Sequence, residues 1–385
     1  MVSIEQVKSV VEVGASEWDR LAGRSVLASY GWLRTLEENF ASPVSFRYIL
    51  ARGAAGLVGA VVCQVQEDPA SDRLNLDGLL FGRFAKAARR LRLTALPALV
   101  CGTGIGVGEP VLVRGDTPAG ERERLTADLV QAVEQTARDH GWTVCFRGVV
   151  EANTPIVEAL AKRGYLRSRE FPAACLELAA GWRSFADFRR HLRKTHPRTA
   201  KSLSREINLG RRHGLVIEQL EEPARYREHL HRLMNSHSLR LNRKPFPYRP
   251  EFFEELKTRL EGRAVIYLAR IGEEPIGALV TLRDDDAVYL PMIGIDPDRS
   301  RASAAYFNLG YNRPIQDSIA AGHRRMFFGR MLYDVKARRG CGRIELNLYV
   351  RGRSLFQELA LRPLFASRSR MINYLTAALP RAEER

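Results

Sequence analysis

The chain has 385 residues, 45% hydrophobic and 27% charged, too apolar for disorder and long enough to bury two cores. No apolar run reaches the roughly 18 residues of a membrane-crossing helix and no signal-peptide core opens the chain, so a soluble, cytoplasmic protein is expected. The formal net charge is +16, carried unevenly: residues 1–175 hold 21 Lys and Arg against 20 Asp and Glu, whereas residues 176–385 hold 39 against 24. Codon bias explains why Arg outnumbers Lys 52 to 8 but leaves this asymmetry unexplained. A two-part chain whose second part faces a polyanion is the expectation.

In chain order, β-rich runs occupy 45–52, 57–66 and 97–101. A helix follows over 119–140, with Leu125, Leu129, Val130, Val133 and Ala137 at helical spacing and Gly141 as its C-terminal cap. A strand is predicted at 142–150, a short helix from Asn153-Thr154-Pro155 to Ala161, and a further strand through Leu178. A basic helical stretch at 183–213 opens the second half. Strand 215–220, helix 223–241, a Pro-rich loop at 243–250 and helix 252–260 come next. Strands 264–271 and 275–282 form a hairpin through Gly272, followed by strand 287–295, helix 302–321 and strand 325–329. A short helix from Met331 to Arg339 stops at Gly340, and strand 343–350 follows.

Both halves therefore run meandering strands, a helix ending in Gly, a strand, a short helix ending in Gly, and a strand. The expected fold is α/β, a mixed twisted sheet with helices on both faces, built twice: domains 1–175, near neutral, and 176–385, strongly basic. The five scattered cysteines, Cys63, Cys101, Cys145, Cys175 and Cys341, read as small buried hydrophobes.

This order of elements resembles a tandem GNAT (Gcn5-related acyltransferase) fold, and the second half is similar to the FemABX peptidyltransferases. The sharpest parts are the basic run 192–220 and FFGRMLYDVKARRG, which holds Gly329, Tyr333, Lys336 and Gly340. Val335 stands where the family carries an aromatic directly before the lysine, and Tyr333 lies three residues before Lys336. The resemblance implies that Lys336 sits beside the transferred acyl group, near the donor's 3′ end, steadying a phosphate or an oxyanion. It also implies either an acyl-CoA or an aminoacyl-tRNA donor. Acyl-CoA enzymes of this fold present a Gly-rich turn to the pyrophosphate. Here that place is Asp296 to Ala304, without a Gly, while the glycine run Gly102–Gly108 precedes a strand-like segment.

The residues themselves add candidates. Arg190, Arg193, Lys194, Arg198, Lys201 and Arg205 fall on roughly one face if 189–213 is a single helix. That face suits either a phosphate backbone or plain solvation, and His196-Pro197 is a possible break. Arg330, Arg338 and Arg339 form a second basic cluster. Asp296, Glu345 and Asp334 are the carboxylates to test as base; each also fits a structural role such as helix capping. Tyr333 joins the catalytic candidates. Asn308 and Tyr311 are placed as lining a donor site, and Arg240 an acceptor pocket; core packing and helix capping explain them equally. His229, His231 and His237 share no helix face, so no metal is expected.

The reading that follows is an amide-forming transferase without a resident cofactor. It takes an aminoacyl-tRNA as donor and a small-molecule amine or cell-wall precursor as acceptor. An acyl-CoA-dependent N-acyltransferase is the alternative, and an RNA-binding protein with a decayed transferase site a third.

Overall fold

The computed structural model describes residues 2–42, 44–67, 76–81, 85–90, 94–102, 107–377 and 379–380. Strands β1 (Ser3–Val7), β2 (Ser45–Gly53), β3 (Gly56–Gln66), β4 (Ala98–Cys101), β5 (Val111–Val113), β6 (Thr143–Val150) and β7 (Leu166–Arg169) come first. They are followed by β8 (Ala173–Glu177), β9 (Leu215–Gln219), β10 (Ala264–Ile271), β11 (Glu274–Arg283), β12 (Ala287–Ile295), β13 (Arg325–Phe327), β14 (Gly342–Ile344) and β15 (Leu346–Arg351). One sheet has the order β1-β2-β3-β4-β6-β15-β7, with β5 on β3; the other has β14-β8-β13-β12-β11-β10-β9.

The two sheets repeat one plan. Four antiparallel strands are followed by a parallel pair, β4 with β6 in one sheet and β12 with β13 in the other. The next place is filled in each case from the opposite half of the chain: β15 lies between β6 and β7, and β8 lies between β13 and β14. The units are accordingly Met1–Pro172 with Ile344–Ala377, and a second that holds Ala173–Arg343. The expected division at 175/176 assigned strand 343–350 to the second domain. Instead the chain leaves the second sheet at β14 and joins the first as β15, hydrogen-bonded to β6 and β7 on either side. Strand pairing between residues almost 200 positions apart leaves no mark on local sequence.

The first unit's sheet is covered on one face by the helix Ala119–His140. Its Leu125, Leu129 and Val133, spaced by four, pack against Val61, Leu99 and Phe146. Gly141, in left-handed backbone at φ 68°, ends that helix by donating its N–H to the Ala137 and Arg138 carbonyls. The other face is covered by Leu361 and Phe365 of the helix Leu355–Leu375, which meet Val100, Cys145 and Leu348. The second unit has its own core, centred on Val265, Tyr267, Leu279, Ile295 and Leu309. Gly294 is required there, because a Cβ would lie 2.7 Å from the backbone of Leu233 and Met234 on the helix Arg227–Asn242.

The basic stretch is two helices, Phe185–Thr195 and Pro197–Arg212. Proline excludes the helical conformation from the residue before it, and His196 sits at φ −140°, ψ 66°. Helices Ala15–Ala22, Tyr30–Asn39 and Leu355–Leu375 are additions to the sequence reading. All five cysteines are buried. Of the glycine run 102–108, residues 103–106 lie outside the described residues.

Candidate active site

The second unit's parallel pair is brief. β13 matches β12 only from Ala287 with Arg325 to Tyr289 with Phe327, and the last two rings stack at 4.9 Å. Beyond that point the chain after β13 follows β8 instead: Phe328 donates its N–H to the Ala174 carbonyl, and Ala174 donates to Gly329. Residues 290–295 of β12 keep β11 on one side. Among the described residues no strand pairs with their other edge. The result is a notch with a backbone edge on one wall and residues 327–330 on the other.

Lys336 stands at that second wall. It lies on the short helix Tyr333–Arg338, is 4% exposed, and donates from Nζ to the Gly329 carbonyl at 3.1 Å and the Arg330 carbonyl at 3.0 Å. Burial pulls its ammonium down from an ordinary 10.5 to about 8. An ammonium has three donors, so two bonds to carbonyls leave one N–H for another oxygen. Tyr333, also buried, holds its ring 5.9 Å from Nζ. The backbone between is unusual: Met331 and Leu332 have φ of 69° and 53°, in the left-handed region, and both side chains are more than half exposed.

Behind this helix is a buried charge pair. Arg339, 3% exposed, donates to both carboxylate oxygens of Glu206, at 2.8 and 2.9 Å. Its guanidinium also lies over the rings of Phe307 and Tyr311, at 4.9 and 4.6 Å. Asn312 donates to Glu206, and Asn308 donates to the Glu206 backbone carbonyl at 2.9 Å. Asn308 to Asn312 form a π-helical turn, the kind of local widening that gathers side chains at functional sites. Tyr311 stacks on Phe328 at 5.0 Å, and burial raises its hydroxyl well above the ordinary range.

These contacts revise several expectations. Arg339 is an internal tie and not a solvent-facing phosphate contact. Asn308 and Tyr311 serve the same cluster, their polar atoms turned to protein partners. Glu206 and Asn312 were not among the candidates. The one sequence signal for Glu206 was its isolation, a single acid among nine cations of the stretch 189–213.

Asp296 caps a helix. Its Oδ1 accepts the N–H groups of Asp298 and Arg299, at 3.0 and 3.2 Å, and its backbone carbonyl accepts Ser300. Pro297 has no N–H to offer. The opening amides of this turn are therefore already satisfied, by an anion belonging to the chain itself. Glu345 belongs to the first unit, where it pairs with Arg169 at 3.2 Å. Asp334 is exposed in the first turn of the Lys336 helix.

On the paired basic helices, Arg193, Lys194, Arg198, Lys201 and Arg205 are exposed, and no ion pair or hydrogen bond of their side chains occurs among the described residues. Arg190 is exposed but pairs with Asp187 at 2.7 Å. Arg198, Lys201 and Arg205 share one face of the second helix, opposite buried Ala200, Leu203 and Glu206. Arg338 is exposed and Arg330 half-buried. Arg240 is exposed near the end of its helix and donates to His237 at 3.2 Å, while His231 bonds the Tyr248 carbonyl. No group of three His, Cys, Asp or Glu that could hold a metal, and no helix long and apolar enough to cross a membrane, occurs among the described residues.

Residues 197–337, from the start of the second basic helix through Lys336, match the family model of the acetyltransferase (GNAT) domain. No curated protein sequence matches the chain significantly. Among solved structures, L-PGS from Bacillus licheniformis is similar at 11% identity and a TM-score of 0.52, over 97% of this chain and 100% of that one. FemX is similar at 11% identity and 0.51, over 89% and 96%. A tandem GNAT protein from the clavulanic acid biosynthesis pathway stands at 14% and 0.49, over 92% and 99%. The repeated sheet plan is the fold held in common with L-PGS and FemX, and within it residues 197–337, which span the notch and Lys336, are similar to the acetyltransferase (GNAT) domain.

Proposed function

We propose that the second unit transfers an aminoacyl group from an aminoacyl-tRNA to the amine of a small molecule or cell-wall precursor. The observation that carries this reading is the capped turn at Asp296. A coenzyme pyrophosphate needs free amides at a helix start. Here Pro297 supplies none and the Asp296 carboxylate holds the next two, so the first turn after β12 does not offer these amides to a diphosphate; the helix that opens at Ala305 carries no side-chain cap. The Fem-like donor has no such requirement. The five exposed, unpaired cations at residues 193–205 suit its phosphate backbone, since each neutralised phosphate releases counterions.

In this reading the acceptor amine attacks the ester carbonyl, the new C–N bond forms and the C–O bond to the ribose breaks. The remaining N–H of Lys336 is offered to the oxyanion that develops in between. The amine proton passes to the leaving ribose oxygen, with the vicinal hydroxyl as relay, so no carboxylate base is needed.

The match to an acetyltransferase domain favours the second reading, an acyl-CoA donor. One experiment separates the two. Product formation that stops on adding ribonuclease, with no thermal shift from coenzyme A, supports the aminoacyl-tRNA donor. Turnover that survives ribonuclease and a thermal shift with coenzyme A would establish the other.

A further inference from the structure

The helix Leu355–Leu375 of the first unit has a second face that none of the described residues covers. Leu361, Phe365 and Ile372 are buried along one side. On the opposite side Leu355, Phe356 and Leu359 at one end and Tyr374 at the other are each more than half exposed, Phe356 by 70% and Tyr374 by 83%, while Met371 and Leu375, about half exposed, lie toward one flank. Single exposed apolar residues are ordinary; four on one face of a helix, with two more at its flank, mark an interaction surface.

Charge identifies the partner. Arg370 is exposed on the same face, Arg362 is exposed at its edge, and Arg353 is exposed just before the helix. Arg362 and Arg370 form no ion pair among the described residues. Glu358 is the sole acid of the helix, and its carboxylate is turned back to the Gly352 N–H. The face is thus apolar and cationic with no anion in it. A second copy is a poor occupant, because antiparallel pairing about Ala366, next to the helix centre, would set Arg362 against the other copy's Arg370. Nucleic acid gives the aliphatic side chains nothing to bury into. Phe356 and Tyr374, 18 residues apart, stand about 27 Å from one another, too far to stack on neighbouring bases. An anionic lipid surface accommodates both features, taking the side chains into the acyl boundary and the guanidiniums at the headgroups.

We propose that the outer face of this helix docks the protein, in the plane of the interface, on membranes bearing anionic headgroups. This stands independently of which donor the second unit uses.

The test is flotation of the full chain with vesicles of phosphatidylglycerol and phosphatidylcholine, against phosphatidylcholine alone. The chain should float with the anionic vesicles only. F356S/L359S should lower the bound fraction roughly tenfold or more, since two buried apolar side chains are removed. R362E/R370E should abolish flotation. Circular dichroism and unfolding temperature establish that both variants remain folded. A variant with Arg193, Lys194, Arg198 and Lys201 changed to Ser controls for attraction by the basic helices; it should still float, and still respond to F356S/L359S. Flotation indifferent to F356S/L359S, or a dimer that this change converts to monomer, would overturn the proposal. So would failure of the unaltered chain to float.

Discussion

Arg339 and Glu206, 133 residues apart in the chain, form a two-pronged ion pair inside the second unit. The pair ties the basic helix Pro197–Arg212 to the short helix that presents Lys336. Removing one member of a buried pair strands the other charge without solvent. Arg339→Met is therefore expected to cost about 3–5 kcal/mol in urea unfolding. The double variant Glu206→Gln/Arg339→Met should cost less than the sum of the single changes. Additive losses would mean the two side chains do not interact.

Lys336 makes stability depend on pH in a defined direction. Its folded value of about 8 lies below the ordinary 10.5, so the unfolded chain binds more protons between those values. Stability should then rise with pH across that window, and the burial penalty should be fully present below pH 8. Urea midpoints measured at pH 7 and pH 10 should show this rise in the native chain and lack this contribution in Lys336→Met.

The same group should shape the rate. If its free N–H stabilises an oxyanion, kcat falls as pH rises through about 8. Lys336→Arg, which stays charged, should move that fall to higher pH, and Lys336→Ala should remove most activity. A kcat that climbs above pH 8 would assign the neutral amine instead.

Reversing Arg198, Lys201 and Arg205 to Glu tests the basic face. If all three meet phosphates, the slope of log affinity for tRNA against log salt should shrink by about 0.9 per lost contact, or somewhat less on single strands. Fluorescence anisotropy over a salt series reads this directly. Circular dichroism should be unchanged, since these side chains are exposed and unpaired.

Asp296→Ala separates a cap from a catalytic base. Loss of an N-terminal cap costs about 0.5–2 kcal/mol of stability. Loss of a general base costs roughly 10²–10⁴ in rate. The expected outcome is a lowered unfolding midpoint with kcat reduced less than about tenfold, consistent with proton relay through the ribose.

How much of this was legible in the sequence depends on the range of the forces involved. The helix Ala119–His140 was fixed by its four-residue apolar spacing and by Gly141. Strands β10 and β12 and the hairpin at Gly272 followed from runs of β-branched and apolar residues with turn signals between them. The Lys336 helix and its stop at Gly340 were legible for the same reason. Helix Leu355–Leu375 was not: Pro363 lies within it, and its apolar residues fall on both faces, which erases the helical period.

Site residues divide along the same line. Lys336 was found through a resemblance, Asp296 and Arg339 through residue type and position, yet their roles came apart in the folded chain. Composition does not distinguish Arg338, exposed, from Arg339, 3% exposed and paired. That difference is set by which helix lies opposite.

The sequence by itself determined the local elements, their caps and the placing of positive charge in the second half, because these depend on neighbours within a few residues. Tertiary structure alone decided that β8 and β15 each complete the sheet of the opposite half. It also decided which cations are buried and that the Asp296 carboxylate takes up the amides of Asp298 and Arg299. Those outcomes depend on desolvation and hydrogen bonding between segments up to some 200 residues apart, and both are settled only when the chain closes on itself.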